Sequence, residues 1–106
     1  MSDTVSLTPE AADDVERLYE FVVERALAAH GLPDFEMAER ALQAIKDGLA
    51  TLRTSPFTCR KAGSSPFLRE LVIPFGHSGY VALFEIVDPE TVWIVAVRHQ
   101  REDDYR

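Results

Sequence analysis

The chain has 106 residues and a formal net charge of −7 at pH 7. This length fits one domain over residues 1–106, and 46% hydrophobic with 27% charged residues is typical of a globular protein. The excess of acidic over basic residues excludes nucleic-acid binding by the whole surface, because binding to phosphates requires a basic face.

The sequence also lacks several features that would define other classes of protein. No run of about 18 apolar residues occurs, so no membrane span is predicted. The first residues lack the basic and apolar stretches of a secretory signal. Cys59 is the only cysteine, which excludes an internal disulfide and a zinc site built on several thiolates. We therefore expect a cytoplasmic protein without a bound metal or cofactor.

The first third of the chain predicts a short strand followed by a long helix. Residues 5–7 alternate in polarity, as a brief strand would. Thr8 can cap the free amides of a helix start, and Pro9 suits the first helical position. Gly31 and Pro33 mark the end of this helix. Its apolar stripe has spacings of three and four residues and consists of Ala11, Val15, Leu18, Val22, Ala26 and Ala29.

A second helix is predicted directly after this stop. Asp34 is its candidate cap, and the helical pattern ends near Arg53, before Ser55 and Pro56. The connection between the two helices is short, and short connections favour antiparallel neighbours. An antiparallel helix hairpin is therefore predicted over about residues 9–54. The second apolar stripe consists of Phe35, Ala38, Leu42, Ile45, Leu49 and Leu52.

The second half of the chain has the pattern of strands. Residues 55–66 are rich in Ser, Pro and Gly and are predicted to form a surface loop. Connections of hairpin length then join three predicted strands, residues 67–75, 80–87 and 92–97. The predicted fold class is α+β: a short strand, the helix hairpin and a three-stranded antiparallel meander.

The predicted meander occupies about residues 66–98, and a polar tail follows at residues 99–106. Apolar residues lie on both faces of the last two strands, which predicts either a central position for them in the sheet or a second covered surface. Trp93 lies among these apolar residues and is expected in the core.

The charges are unevenly distributed along the chain. Residues 1–58 contain five basic and eleven acidic side chains, whereas residues 60–101 contain five basic and four acidic ones. Only the sheet half is therefore expected to gather basic groups, namely Arg60, Lys61, Arg69, Arg98 and Arg101. The alternative is that these charges are scattered over a solvated surface.

Three further residue types could carry chemistry. His99 follows Arg98 at the end of the last strand and could act as a general acid or contact a phosphate. The alternative is a structural histidine bound to the backbone of a turn. Tyr105 could stack on a base or cover an apolar edge. Cys59 precedes Arg60 and Lys61, whose charges should lower its thiol pKa, but no partner for nucleophilic catalysis is apparent.

Four segments together resemble a known family over nearly the whole chain. They are LTPEA at residues 7–11, SPFLREL at 65–71, GYVALFEI at 79–86 and VWIVAVRHQREDDY at 92–105. In their order and spacing they resemble the RelE/ParE superfamily of toxins from type II toxin–antitoxin pairs, also known as plasmid stabilisation proteins.

The RelE-like branch of this superfamily enters the ribosomal A site and cuts mRNA without a metal. The RNA 2′-hydroxyl attacks the adjacent phosphate, and basic groups stabilise the charge that develops. On that reading the resemblance implies that Arg69 stabilises the phosphate and that Arg98 or Arg101 assists the leaving oxygen. Tyr105 would stack on the base.

The resemblance also implies contacts that bind without catalysing. Arg60 and Lys61 could stand in for the lysines of the RelE-like branch, and Tyr80 and His99 lie in the segments that carry the resemblance. A basic residue is common after Tyr80 in the superfamily, but Val81 stands there in this chain.

The ParE-like branch poisons DNA gyrase by trapping it on cleaved DNA and performs no covalent chemistry. A long polar helix hairpin and few basic residues are usual in that branch, and this chain shares both. The resemblance therefore implies a gyrase poison that is neutralised by a cognate antitoxin, whose acidic and apolar segment docks against the sheet and the hairpin. A ribosome-dependent endoribonuclease and an inactive member that only binds antitoxin are the alternatives.

Overall fold

The computed structural model describes residues 4–101, which form two helices packed on a five-stranded sheet. The elements in chain order are β1 (Thr4–Leu7), α1 (Pro9–His30), α2 (Phe35–Ala50), β2 (Arg60–Lys61), β3 (Leu68–Phe75), β4 (Ser78–Asp88) and β5 (Thr91–His99). Two 3-10 helices, Thr51–Arg53 and Pro56–Thr58, connect α2 to β2. The predicted α+β class, with its N-terminal strand and two helices, is confirmed.

The sheet has the strand order β1-β5-β4-β3-β2. The strands β3, β4 and β5 form the predicted antiparallel meander, and β4 and β5 are interior strands, as their apolar faces indicated. The short β1 pairs in parallel with β5, with Val5 opposite Val92. The chain therefore returns to its own beginning when it forms the last strand.

The predicted caps of both helices are confirmed. Thr8 Oγ1 accepts a hydrogen bond from the Ala11 N–H at 3.2 Å, and Asp34 Oδ1 accepts one from the Met37 N–H at 2.9 Å. Gly31 ends α1 in the left-handed conformation, with φ of 77°. Because few residues separate the helices, they fold back on each other as a hairpin. No helix in the described part of the chain is both long enough and apolar enough to span a membrane.

The core lies between the helix hairpin and one face of the sheet. Apolar side chains from the two helices, from the Thr51–Arg53 turn and from alternate positions of the strands pack into one cluster. Its large fully buried members on that face are Leu18, Leu52, Phe84, Ile94, Val92 and Val97. Burial of these side chains is the main source of the fold's stability.

Two sequence predictions in the sheet half are wrong. Residues 55–66 do not form only a loop, because Arg60 and Lys61 pair with Glu70 and Arg69 and add an edge strand to the sheet. Trp93 is not in the core: its side chain is 46% exposed. It lies between Val92 and Ile94, both fully buried, so strand alternation places it on the opposite face.

Part of the predicted tail lies outside the described residues. His99 of that tail ends β5, and Gln100 and Arg101 follow it. Residues 102–106, and with them Tyr105, are beyond the described range.

Candidate binding groove

A groove opens between α1 and the end of the sheet where β4 begins and β5 ends. It consists of two adjoining cavities of about 300 and 390 Å³ that share Phe21, Arg25 and His99. We call it the His99 groove. The first cavity has mainly apolar walls, which include Val22, Ala26, Phe75 and Tyr80. The second is also lined by Arg17 and Arg101.

His99 is held in one orientation at the floor of this groove. Its Nδ1 accepts a hydrogen bond from the backbone N–H of Arg101 at 3.1 Å. In the neutral ring the proton is therefore on Nε2, which lies 3.1 Å from Ser78 Oγ and donates to it. The ring also meets Tyr80 edge to face, with 5.7 Å between the centroids. These contacts fix the orientation of the His99 ring in the lining of the groove.

Tyr80 forms the wall next to His99. Its side chain is buried, and its ring lies 6.2 Å from the Phe75 ring. Burial raises the pKa of the Tyr80 phenol above its ordinary value of 10.0, so the hydroxyl is neutral at physiological pH. The structure therefore places Tyr80 and His99, two of the predicted binding residues, side by side.

Asp14 joins α1 to the strand that carries His99 and is not among the residues predicted from the sequence. It is a buried acidic side chain, 4% exposed, and its Oδ2 accepts a hydrogen bond from the Val97 N–H at 3.0 Å. This bond lies close to the point where the pairing of β4 with β5 shifts register, after Leu83. An acidic residue at core spacing, three after Ala11 and four before Leu18, was the available signal.

Arg69 lies at the other end of the sheet, where its side chain binds backbone. Its Nε donates to the Pro66 carbonyl at 2.7 Å, and its Nη1 donates to the carbonyls of Phe57 at 3.1 Å and Cys59 at 2.7 Å. The guanidinium carbon is 5.1 Å from the centre of the Phe57 ring. We call this set of contacts the Arg69 brace, because it ties the segment before β2 to β3.

The other basic residues at this end have different surroundings. Arg60 Nε lies 3.1 Å from Glu70 Oε1 in a cross-strand ion pair, and Lys61 is exposed opposite Arg69. Burial raises the pKa of the Cys59 thiol, and the Arg69 guanidinium offsets this only in part. The expectation that neighbouring charges lower this pKa is therefore wrong, because burial outweighs them.

Arg98 lies on the other face of the sheet from Arg69. Arg69 is opposite Phe84 and Arg98 is opposite Val81, and positions three apart on β4 point to opposite faces. Arg98 Nη1 donates to the backbone carbonyls of His99 at 3.3 Å and Gln100 at 3.4 Å. Its guanidinium thus contacts the backbone that follows β5.

The structure therefore divides the predicted site residues into separate groups. Tyr80, His99 and Arg101 come together in the His99 groove, whereas Arg69, Arg60 and Lys61 lie at the opposite end of the sheet. Arg98 is on the outer face, and Tyr105 is outside the described residues. Within residues 4–101, no group of three or more His, Cys, Asp or Glu side chains could hold a metal ion.

The basic residues that α1 contributes to the groove were not predicted. Arg17 and Arg25 belong to residues 1–58, which contain eleven acidic side chains. The net negative charge of that segment gave no reason to expect a basic cluster there. The two arginines are eight residues apart with Phe21 midway, so all three lie along one side of the helix. This spacing was the signal in the sequence.

Comparisons with known proteins identify the family. The model of the family described as "ParE toxin of type II toxin-antitoxin system, parDE" matches residues 5–104. The chain belongs to the ParE toxin family. Its structure is similar to a solved one titled "Chromosomal ParDE TA system from P. aeruginosa", with a TM-score of 0.64, 21% identity and 97% of each chain covered. That likeness shows a shared fold. A search of curated proteins found no match.

The resemblance inferred from the sequence is thus confirmed on the ParE side of the superfamily. Membership in a toxin–antitoxin family implies that an antitoxin is the partner of this ParE-family chain.

Proposed function

We propose that this ParE-family chain poisons DNA gyrase in the cytoplasm and that its cognate antitoxin neutralises it. The observation that supports a binding function over a catalytic one is the separation of Arg69 from the His99 groove. Catalysis of RNA cleavage needs proton-transfer and charge-stabilising groups within reach of one phosphate. Here the guanidinium of Arg69 already donates to three backbone carbonyls.

Gyrase poisoning needs a surface that recognises a protein–DNA complex and no reacting groups. The acidic character of the chain, with a net charge of −7, also disfavours long-range attraction to ribosomal RNA. The roles considered for Arg69, Arg98, Arg101 and Tyr105 in phosphate chemistry belong to the endoribonuclease alternative.

Neutralisation by an antitoxin is supported by the apolar surface of the helix hairpin. Its distal half, around the connection between α1 and α2, exposes large apolar side chains, with Leu32 72% and Phe35 57% exposed. Monomeric proteins seldom leave such side chains uncovered in one region. An antitoxin segment that folds onto the hairpin and the sheet would cover them.

A supercoiling assay with purified gyrase tests the proposal directly. We expect the chain to accumulate cleaved DNA–gyrase complexes and its antitoxin, from the adjacent reading frame, to suppress them. A chain that arrests growth but leaves gyrase unaffected contradicts the choice of target.

Two further measurements separate the alternatives. Mapping of mRNA ends after induction would show cuts within translated codons if the chain were a ribosome-dependent endoribonuclease. Normal growth after induction without the antitoxin would instead favour an inactive antitoxin-binding module.

A further inference from the structure

We propose that the end of the sheet opposite the His99 groove is a self-association surface, at which two copies of the chain pair about a two-fold axis. The surface is a second groove, between the Pro56–Thr58 turn, the start of β3 and the connection from β4 to β5. We call it the Phe67 groove. The inference depends neither on gyrase nor on the antitoxin, so it is independent of the proposed function.

The Phe67 groove is apolar along its middle. It consists of two adjoining cavities of about 330 and 240 Å³ that share Phe57, Ile86 and Pro89. The rings of Phe57 and Phe67 meet edge to face with 6.3 Å between their centroids, and these side chains are 53% and 51% exposed. Val87 adds a third large side chain, 42% exposed. Monomeric proteins seldom leave such side chains together in water, which favours a protein interface here.

The Arg69 brace fixes the walls of this groove. Arg69 Nη1 donates to the Phe57 carbonyl at 3.1 Å, and its guanidinium carbon lies 5.1 Å from the centre of the Phe57 ring. The Phe67 carbonyl accepts a hydrogen bond from the Ile86 N–H at 2.8 Å, which ties the start of β3 to β4. Both aromatic residues are therefore positioned before a partner binds, so little ordering is required on association.

Charges of opposite sign lie on the two sides of the aromatic pair. The strand order places β2 on one side, where Arg60 and Lys61 are exposed at the edge of the sheet. The Arg60 guanidinium is shared with Glu70, so Lys61 carries most of the positive charge that this side offers. The end of β4 lies on the other side, where Glu85 and Asp88 are exposed and line the groove.

This order of charges selects a second copy of the chain as the occupant. A two-fold axis through the aromatic pair brings the basic side of each copy against the acidic side of the other, because the same patch serves both partners. A partner of uniform charge would meet like charge on one side.

The paired arrangement also has the anatomy of a protein interface. It buries Phe57, Phe67 and Val87 of each copy at its centre and leaves the charged residues on its rim. The connection between α1 and α2 lies at the other end of each copy, next to the His99 groove. The exposed apolar side chains of the helix hairpin therefore stay accessible in the dimer.

The test is the oligomeric state of the purified full chain, measured by analytical ultracentrifugation. Phe67→Ala removes one ring of the groove, and Phe21→Ala removes a ring of similar exposure at the other end of the sheet, 45% against 51%. Lys61→Glu reverses a charge beside the groove, and Lys46→Glu makes the same change on the exposed face of α2. All four side chains are exposed, so the variants should fold.

We expect the wild type to dimerise at about 100 μM, since weak interfaces have micromolar dissociation constants. Phe67→Ala and Lys61→Glu should each raise the dissociation constant of the dimer by about tenfold or more, and the two controls by less than about twofold.

A charge exchange tests the two-fold arrangement itself. Glu85→Lys gives the groove basic residues on both sides, whereas Lys61→Glu makes the β2 side more acidic. We expect each variant alone to remain monomeric and an equimolar mixture of the two to associate, because the mixture restores opposite charges across the interface.

Three results overturn the proposal. The first is a wild type that sediments as a monomer at every concentration up to about 100 μM. The second is a wild-type dimer that Phe67→Ala and Lys61→Glu weaken no more than their controls do, which would place self-association on another surface. The third is a monomeric wild type whose action on gyrase falls with Phe67→Ala but not with Phe21→Ala, which would assign the groove to the target. The supercoiling assay with the wild-type chain decides the proposed function separately.

Discussion

The two ends of the sheet use their arginines in different ways. At one end, the guanidinium of Arg69 donates to three backbone carbonyls and covers the Phe57 ring. At the other end, Arg25 and Arg101 line an open groove beside Phe21 and His99. Residues of the same type thus bind the backbone in one place and line an open groove in the other.

The contacts of these arginines differ from what their positions in the sequence suggested. Arg69 lies in a segment that resembles the toxin superfamily and was a leading candidate for function. Arg25 lies in a helix with many acidic residues and was not considered. The following predictions test this contrast, beginning with the largest expected effect.

The end of the sheet that carries the His99 groove depends on the close approach of the Gly79 backbone to the Ile73 backbone. A Cβ on this residue would overlap the carbonyl oxygen of Ile73, and the Gly79 carbonyl accepts from the Gln100 N–H at 2.8 Å. We expect Gly79→Ala to reduce the free energy of unfolding by about 4 kcal/mol or more, measured by urea denaturation. Gly63→Ala is the control, because a Cβ there meets no atom within 4 Å. Equal stability of the two variants would contradict this account of the strand pairing.

The Arg69 brace should contribute stability that a surface charge does not. We expect Arg69→Ala to reduce the free energy of unfolding by about 2–3 kcal/mol, because three carbonyls lose their donors. Arg69→Lys should recover little of it, since an ammonium group cannot reproduce the planar fork. Arg60→Ala breaks an ion pair whose arginine is exposed and whose Glu70 is partly covered, and it should cost less than about 1 kcal/mol. A larger loss for Arg60→Ala than for Arg69→Ala in thermal unfolding would contradict the brace.

Asp14 should stabilise the end of β5 that lines the His99 groove, although Asp14 itself lies outside the groove. Asp14→Ala leaves the Val97 N–H without its acceptor and should cost about 1–3 kcal/mol. Asp14→Asn keeps an oxygen that can accept and should cost less. Hydrogen exchange of the Val97 amide gives a local readout: we expect faster exchange in Asp14→Ala. Unchanged protection of that amide would mean that α1 does not hold β5 in place.

Tyr80 should produce a small effect that appears only at alkaline pH. Burial raises its pKa above the ordinary value of 10.0, so the unfolded state ionises at lower pH than the folded state. Its contribution to stability is therefore complete below pH 10 and is lost as pH rises through the raised pKa. Tyr80→Phe should flatten the alkaline decline of the unfolding free energy. A decline as steep in Tyr80→Phe as in the wild type would assign it to other groups.

Local signals predicted the parts of the fold that local chemistry determines. The caps Thr8 and Asp34 and the stop at Gly31 located both helices, because capping acts within a few residues. The strand β2 was missed because two residues are too few to show an alternating pattern. The parallel pairing of β1 with β5 joins opposite ends of the chain, and no local pattern reports it.

The site residues were harder to predict, for a physical reason. Which cations meet in space depends on how α1 packs on β5, and a charge count along the chain does not contain that information. Asp14 illustrates the point: its carboxylate bonds to a backbone N–H that is distant in the sequence. Tyr80 and His99 were named because they lie in the segments that resemble the family, and the pairing of β4 with β5 places them opposite each other.

The free energy of unfolding, measured side by side for Arg69→Ala and Arg25→Ala by urea denaturation, tests the contrast between the two ends most directly. The account predicts a loss of about 2–3 kcal/mol for Arg69→Ala, because three backbone carbonyls lose their donors. It predicts a loss of less than about 1 kcal/mol for Arg25→Ala, whose exposed guanidinium lies over the Phe21 ring. The reverse order would contradict it.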